Sequence, residues 1–375
     1  MHTDINQEAF FELVRAGLWP NDNHNHNDNH VLFKDVDWGK VYQLAEEQSV
    51  MGLVTAGIEA NTNRTDATNI NIPQEWVLQF IGSTLQIEQQ NKDLNAFVAK
   101  LMEKLRKEDV YAILVKGQGI AQCYEKPLWR ASGDVDLLLS LDNYEKAKKV
   151  LIPQAEDVES EYKSLKHQGM TMQGGFVVEL HGTLHSRLSR RVDRVVDKAQ
   201  KSVFYGGEVR SWMNGNTSVF LPSPDNDVIF VFTHILHHFF IEGVGLRQIC
   251  DWCRLLWTYR EKLDKKLLEQ RLKKAGIISE WMAFAALAVD WLGMPVDAMP
   301  LYSSDKKWSR KAEKIMSFVL ESGNFGHSRE AATGKLHSVW LKTKDFARHS
   351  LVFPWDSIKF FFHFVGNGLA LANER

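Results

Sequence analysis

VKGQGIAQCYEKPLWRASGDVDLLL, residues 115–139, is the stretch on which the reading of this chain turns. It opens at the end of a β-branched and apolar run, VYAILV at 110–115, with charges before it and glycines after it, the pattern of a strand entering a tight turn. It closes on DVDLLL at 134–139, an apolar strand that begins with two acids. Side chains alternate faces along a strand, so Asp134 and Asp136 share one side while Val135 and Leu137 take the other. Two carboxylates held that close raise each other's pKa and cost stability unless something positive neutralises them. A divalent metal does so directly. Hard ions such as Mg²⁺ take carboxylate and phosphate oxygens, and a pair of them can clamp both oxygens of a phosphoryl displacement. A solvated strand end is the plainer explanation of an isolated Asp-x-Asp, so the neighbouring residues decide.

Upstream, Lys116-Gly117-Gln118-Gly119 joins the first strand to a segment that can open a helix. Glycines at such a turn let backbone N–H groups approach phosphate oxygens, and Lys116 and Arg130 supply cations on either side. Downstream, FVVELH at 176–181 follows the Gly174-Gly175 turn signal, and on it Glu179 and His181 share a face. Were this strand to lie beside 134–139, Glu179 would complete a carboxylate triad able to position or deprotonate an acceptor hydroxyl. The alternatives are Glu179 paired with Arg187 or Arg190, and His181 as a packed or hydrogen-bonded ring. Arg187, Arg190, Arg191 and Arg194 could bind an anionic acceptor or form a solvated helix face with Asp193 and Asp197.

Outward from this centre the texture is helical. Helices are expected over 1–20, from the Asp37 N-cap onward (Trp38, Val41, Tyr42, Ala45), and after Pro73 as one long helix or two joined near Gln89 to Asn91. Another covers 144–151. Further helices are expected over 228–259 with a break at Gly243 to Gly245, then 265–275, 279–292, 306–321 and 358–372. The tract NDNHNHNDNH at 21–30 reads as a polar loop without fixed ligand geometry. His234, His237 and His238 read as packing histidines, Arg247 and Asp251 as an i,i+4 ion pair, and Cys250 and Cys253 as buried thiols. Three regions result: an N-terminal helical region 1–108, a core 109–224 and a C-terminal helical domain 225–375.

At 375 residues the chain can hold two or three packed units, since one core seldom grows past about 250 to 300 residues. With 44% hydrophobic and 25% charged residues it has an ordinary globular composition, which argues against disordered and fibrous classes. A formal net charge of -2 lacks the basic excess of nucleic-acid binders, so a polynucleotide acceptor is not expected. Three cysteines without a disulfide framework, and acids where a signal peptide would be basic, point to the cytoplasm. The most apolar stretch, 358–371, is interrupted by Lys359, His363, Gly366 and Asn367. It falls short of the roughly 20 residues that span a bilayer, so no transmembrane segment is expected.

The strand, the Lys-Gly turn, Arg130, Asp134-Val-Asp136 and Glu179 together resemble the DNA polymerase β-type nucleotidyltransferase superfamily. Its pattern is a glycine turn, an Asp-x-Asp/Glu strand and a third acid on a later strand. More narrowly, LVKGQGIA, RASGDVDLLL, VELH and the helix with His234, His238, Arg247 and Asp251 resemble nucleotidyltransferase family 5, a bacterial branch, over most of the chain from Trp38 onward. The resemblance implies an α+β fold, a small mixed-sheet core flanked by N-terminal and C-terminal helical regions. It also implies Mg²⁺-dependent transfer of an NMP from an NTP, with ATP the expected one, to an unidentified small-molecule or protein acceptor, releasing pyrophosphate. Asp134 and Asp136 would ligate two Mg²⁺ ions and Glu179 would join the catalytic one. Lys116, Gly117, Gln118, Arg130 and Ser132 form the candidate nucleotide-binding set, with His181 and Arg187 as acceptor or phosphate contacts. One departure stands out: the superfamily has Gly-Ser or Gly-Gly at the turn, where a small hydroxyl residue helps grip phosphate, and this chain has Gln118. That leaves a second function open, a catalytically inactive nucleotide- or partner-binding module of the same fold.

Overall fold

The computed structural model describes residues 4–20, 33–62, 72–241, 243–323, 346 and 348–360. The polar tract 21–30 and all but the first three residues of the helix expected over 358–372 lie outside the described residues. Helix α1 (Ile5–Leu18) starts on an Asp4 cap and α2 (Trp38–Glu47) on Asp37, whose carboxylate accepts from the Gly39 and Lys40 amides. Helix α3 (Met51–Thr62) lies so close to α1 that a Cβ on Gly57 would sit 2.0 Å from the Leu13 carbonyl oxygen. Helix α4 (Gln74–Lys107) is one continuous helix of 34 residues. The polar break near Asn91 has another cause: Asn91 is buried and its amide donates to the carbonyls of Leu128 and Arg130, both at 2.8 Å.

The chain then runs through β1 (Ala112–Val115), a short helix α5 (Gly117–Ala121), β2 (Asp134–Leu139) and α6 (Leu141–Leu151). Strands β3 (Ala155–Val158), β4 (His167–Met172) and β5 (Phe176–His181) follow, then α7 (Arg190–Tyr205) and the hairpin β6 (Val209–Asn214) to β7 (Thr217–Pro222). The C-terminal flank is α8 (Pro224–Ile241), α9 (Leu246–Tyr259), α10 (Lys265–Ala275), α11 (Ile278–Asp290) and α12 (Lys306–Ser322). Strands β1, β2 and β5 match the sequence expectation; β3, β4 and the hairpin are additional.

The five-stranded sheet has the order β1-β2-β5-β4-β3, with β2 and β5 parallel and the other pairs antiparallel. It is a mixed sheet with flanking helices, as the expected fold class requires. On one face Leu114, Val135, Leu137, Leu139, Val178 and Leu180 bury against the C-terminal half of α4 and against Tyr144, Ala147 and Leu151 of α6. Each fully buried side chain of this kind contributes about 1.5–3 kcal/mol. On the other face Ile113, Val115 and Leu138 join a second core that continues through α1, α3, α8, α9, α11 and α12. Because faces alternate, Asp134 and Asp136 point to this second side. Among the described residues no helix is long and apolar enough to cross a membrane.

Candidate active site

Strand register does the placing. Parallel pairing of β2 with β5 sets Asp136 opposite Glu179 and Leu138 opposite His181. Ligand oxygens of Asp134, Asp136 and Glu179 thereby lie within 4.8 Å of one another, so the three acids expected to converge do so. Antiparallel pairing of β4 with β5 sets His167 opposite His181 and Gly169 opposite Glu179. Residues directly opposite in an antiparallel pair share a face, so His167 joins the acids, a residue the sequence did not reveal. Gly169 leaves room for a further acid: a Cβ there would lie 2.5 Å from the Glu159 carboxylate.

The charges are unbalanced and desolvated. Lys116 Nζ donates to Asp136 Oδ1 at 2.9 Å, and His181 Nε2 lies 2.7 Å from the same oxygen. Glu179 Oε2 is 3.2 Å from His167 Nε2 and 3.4 Å from His181 Nε2. Burial pushes the Asp136 carboxyl up, but Lys116 and the His181 hydrogen bond outweigh it and hold the group below its ordinary range. Glu179 follows the same pattern: burial raises it, and hydrogen bonds from His167 and His181 bring it well below the usual carboxylate range. Asp134 goes the other way, raised first by the neighbouring Asp136 charge and then by burial. Asp134 is thus the one of the three acids on which repulsion and burial outweigh the nearby positive charge of Lys116. Oxygen donors at this spacing are the donor set a hard divalent cation takes.

Lys116 is held in an unusual backbone conformation, φ +57° and ψ -145°, at the end of β1. A non-glycine residue there costs on the order of 1–3 kcal/mol, and such strain concentrates at functional sites. Gly117 continues the turn with φ +34°. Gly119 serves packing, since a Cβ there would come 2.8 Å from the Leu221 side chain. Gln118 is buried and neither its amide oxygen nor its nitrogen has a hydrogen-bond partner.

Arg130 is placed differently from its expected role. Its guanidinium is buried and makes a two-pronged contact with Asp251, at 3.0 and 2.5 Å, with Nη1 donating to Ser132 Oγ at 2.9 Å and to the Ala131 carbonyl at 3.0 Å. A carboxylate in apolar surroundings outcompetes water for the guanidinium, which leaves Arg130 and Ser132 tied to each other and to α9. The carboxylate of Asp251 therefore goes to Arg130 and to the Tyr124 hydroxyl at 2.8 Å, while Arg247, its expected i,i+4 partner, donates to the Ala131 carbonyl at 2.6 Å. His181 is an interior member of the acidic cluster. Arg187 lies between β5 and α7 with its backbone N–H donating to the Asp193 carboxylate at 3.3 Å. Arg191, from the same basic run, caps the end of α10 through the carbonyls of Lys273 and Lys274. Glu179 meets histidines, so the alternative pairing with Arg187 or Arg190 is not the one formed.

Helix α8 adds His234, which the sequence assigned to packing. Burial, then the positive charges of Lys116, His238, His237 and His181, hold its ring well below the usual histidine pKa. Its Nε2 is 3.0 Å from His238 Nε2. The four-residue spacing of the two histidines was the legible signal. All three cysteines are free and buried. A separate cavity of about 210 Å³ is lined by Val50, Leu53, Tyr124, Trp129, Arg130 and Arg247 among others, and none of the three acids borders it.

A family model described as uncharacterised nucleotidyltransferase matches residues 34–293. The chain belongs to this family. The matched span contains the whole acidic face and Lys116, the Arg130–Asp251 pair and His234. Helix α12 and residues 346–360 lie beyond it. No curated protein and no solved structure matches the chain.

Proposed function

We propose that this nucleotidyltransferase moves an NMP from an NTP, ATP being the expected one, to an acceptor hydroxyl or phosphate on a small molecule or protein. The acceptor oxygen bonds to the α-phosphorus, the bond from that phosphorus to the β-bridging oxygen breaks, and pyrophosphate leaves. The observation that carries this proposal is the convergence of Asp134, Asp136 and Glu179 from two parallel strands, with ligand oxygens within 4.8 Å. Divalent cations bound there would neutralise the triphosphate and polarise its α-phosphate.

The chain's own groups have distinct parts in this scheme. Asp134 and Asp136 would hold the cations. Glu179 has so low a pKa that it acts as a ligand and not as the proton acceptor. Lys116, which donates to Asp136 at 2.9 Å, is the ammonium that would reach a phosphate oxygen beside the acids. His234 stays neutral through burial and the positive charges around it, and its Nε2 is engaged with His238 on the same helix.

The Lys116–Asp136 pair also favours the second possibility, a silent nucleotide-binding relative in which the ammonium permanently replaces a metal. The two are separated by incubating the full chain with α-labelled ATP, Mg²⁺ and a cell extract. Label fixed on an acceptor with pyrophosphate released, and neither with Asp136→Asn, supports transfer. Equal pyrophosphate from both proteins contradicts it, and ATP-dependent thermal stabilisation without product supports the silent relative.

A further inference from the structure

Beside the all-carboxylate cluster lies a second set of donors: His167 from β4 with Glu179 and His181 from β5, whose ligand atoms also fall within 4.8 Å of one another. We infer that these three residues form a nitrogen-bearing metal site that takes a borderline transition ion, of the Mn²⁺ or Zn²⁺ kind, sharing Glu179 with the carboxylate site. The inference rests on the acidic cluster being a metal site.

Three observations carry it. Both imidazoles present Nε2, the nitrogen most open for ligation, and both reach the same oxygen, Glu179 Oε2, at 3.2 and 3.4 Å. Donors bound at about 2.0–2.1 Å in a tetrahedral shell stand roughly 3.3–3.4 Å apart, so these spacings already match the edges of a coordination shell. The rings are also fixed in place. Direct pairing of His167 with His181 across the strands keeps their centroids 4.8 Å apart, and Tyr162 stacks on the outer side of His167 at 6.0 Å.

The donor chemistry then sets the metal. Carboxylates alone suit Mg²⁺, whereas imidazole nitrogens shift preference toward first-row transition ions. His181 Nε2 also lies 2.7 Å from Asp136 Oδ1, so ligation through this nitrogen would replace that hydrogen bond. A metal at this position would leave the Asp134 side as the harder one, so the two positions would differ in the ion they prefer.

The test is pulsed electron paramagnetic resonance of Mn²⁺ added to the full chain, read for hyperfine coupling to ¹⁴N. Substitutions His24→Asn, His26→Asn and His30→Asn in the polar tract remove other nitrogen donors from the background protein. The expected spectrum shows ¹⁴N coupling that diminishes in His167→Ala, with Mn²⁺ affinity falling by about tenfold or more. His167 is partly exposed at the start of β4, so its removal leaves the fold intact, as circular dichroism would verify. Mn²⁺ bound without ¹⁴N coupling, or coupling unchanged in His167→Ala, overturns the histidine site and leaves the carboxylate site standing. Absence of any Mn²⁺ binding overturns both.

Discussion

Arg130 and Asp134 lie four residues apart, yet the buried charges around them are handled in opposite ways. Around Arg130 the protein supplies every counter-charge itself: Asp251 meets the guanidinium twice, Tyr124 donates to the same carboxylate, and Ala131 and Ser132 take the remaining prongs. Around Asp134 three acids share one sheet face with one lysine and two histidines, and the neighbouring charge raises the Asp134 pKa instead of lowering it. A buried charge matched by its own chain is a joint of the structure, here between the loop before β2 and α9. A charge left unmatched is a place for something that arrives from outside. Sequence alone put Arg130 with the nucleotide; in the fold its guanidinium is held by Asp251 of α9.

The sharpest way to break this contrast is to remove one charge from each side. Asp134→Asn relieves repulsion among the acids, so the unfolding midpoint should stay level or rise slightly, while NTP turnover should fall by on the order of 10³-fold, about 4 kcal/mol in the transition state. Pyrophosphate release and thermal denaturation on the same sample check both halves. Retained turnover would mean that the unmatched charge is idle.

Asp251→Ala should do the reverse. It strands a buried guanidinium, and breaking such a pair costs about 3–5 kcal/mol, visible as a lower urea midpoint. Replacing both partners, Arg130→Met with Asp251→Leu, should recover much of that loss, because the paired state mainly repays its own desolvation. A double variant as unstable as the single one would show that the pair has a further role.

Glu280 sharpens the comparison from a third position. It is fully buried on α11, and burial followed by the nearby Asp356 carboxylate pushes its pKa well above the ordinary value. A buried acid set beside another carboxylate stays protonated. Since the folded state then binds a proton that the unfolded state releases, its contribution is full below the ordinary carboxylate pKa and is lost as pH rises toward the raised folded value. The slope can reach about 1.4 kcal/mol per pH unit. Urea denaturation across pH 5–9 should show the wild type losing stability relative to Glu280→Gln; parallel profiles would mean that Glu280 is ionised in the fold.

Much of this was legible in the chain, for physical reasons that also mark the limit. DVDLLL and FVVELH announce themselves because acids interrupt otherwise apolar strands, and the C-terminal helices carry clear apolar periodicity. Strands β3 and β4 carry no such mark: AEDV is largely exposed, and HQGMTM has neither alternation nor an apolar run. The β6–β7 hairpin did have a signal, the Gly215-Asn216 pair at its two-residue turn, where the positive φ of Gly215 suits the twist of a tight hairpin. His167 could not be found because its place beside His181 depends on the register of a strand that was itself unseen. The partner of Arg130 is 121 residues away, and no local spacing encodes such a contact.

The central claim, that Asp134, Asp136 and Glu179 cage divalent ions against a triphosphate, is tested most directly by crystals grown with Mn²⁺ and a non-hydrolysable ATP analogue, examined by anomalous scattering. Anomalous peaks within bonding distance of all three acids, with Lys116 moved from Asp136 to a phosphate oxygen, are the predicted result. A map with the analogue bound, no peak at the acids and Lys116 still on Asp136 would contradict it.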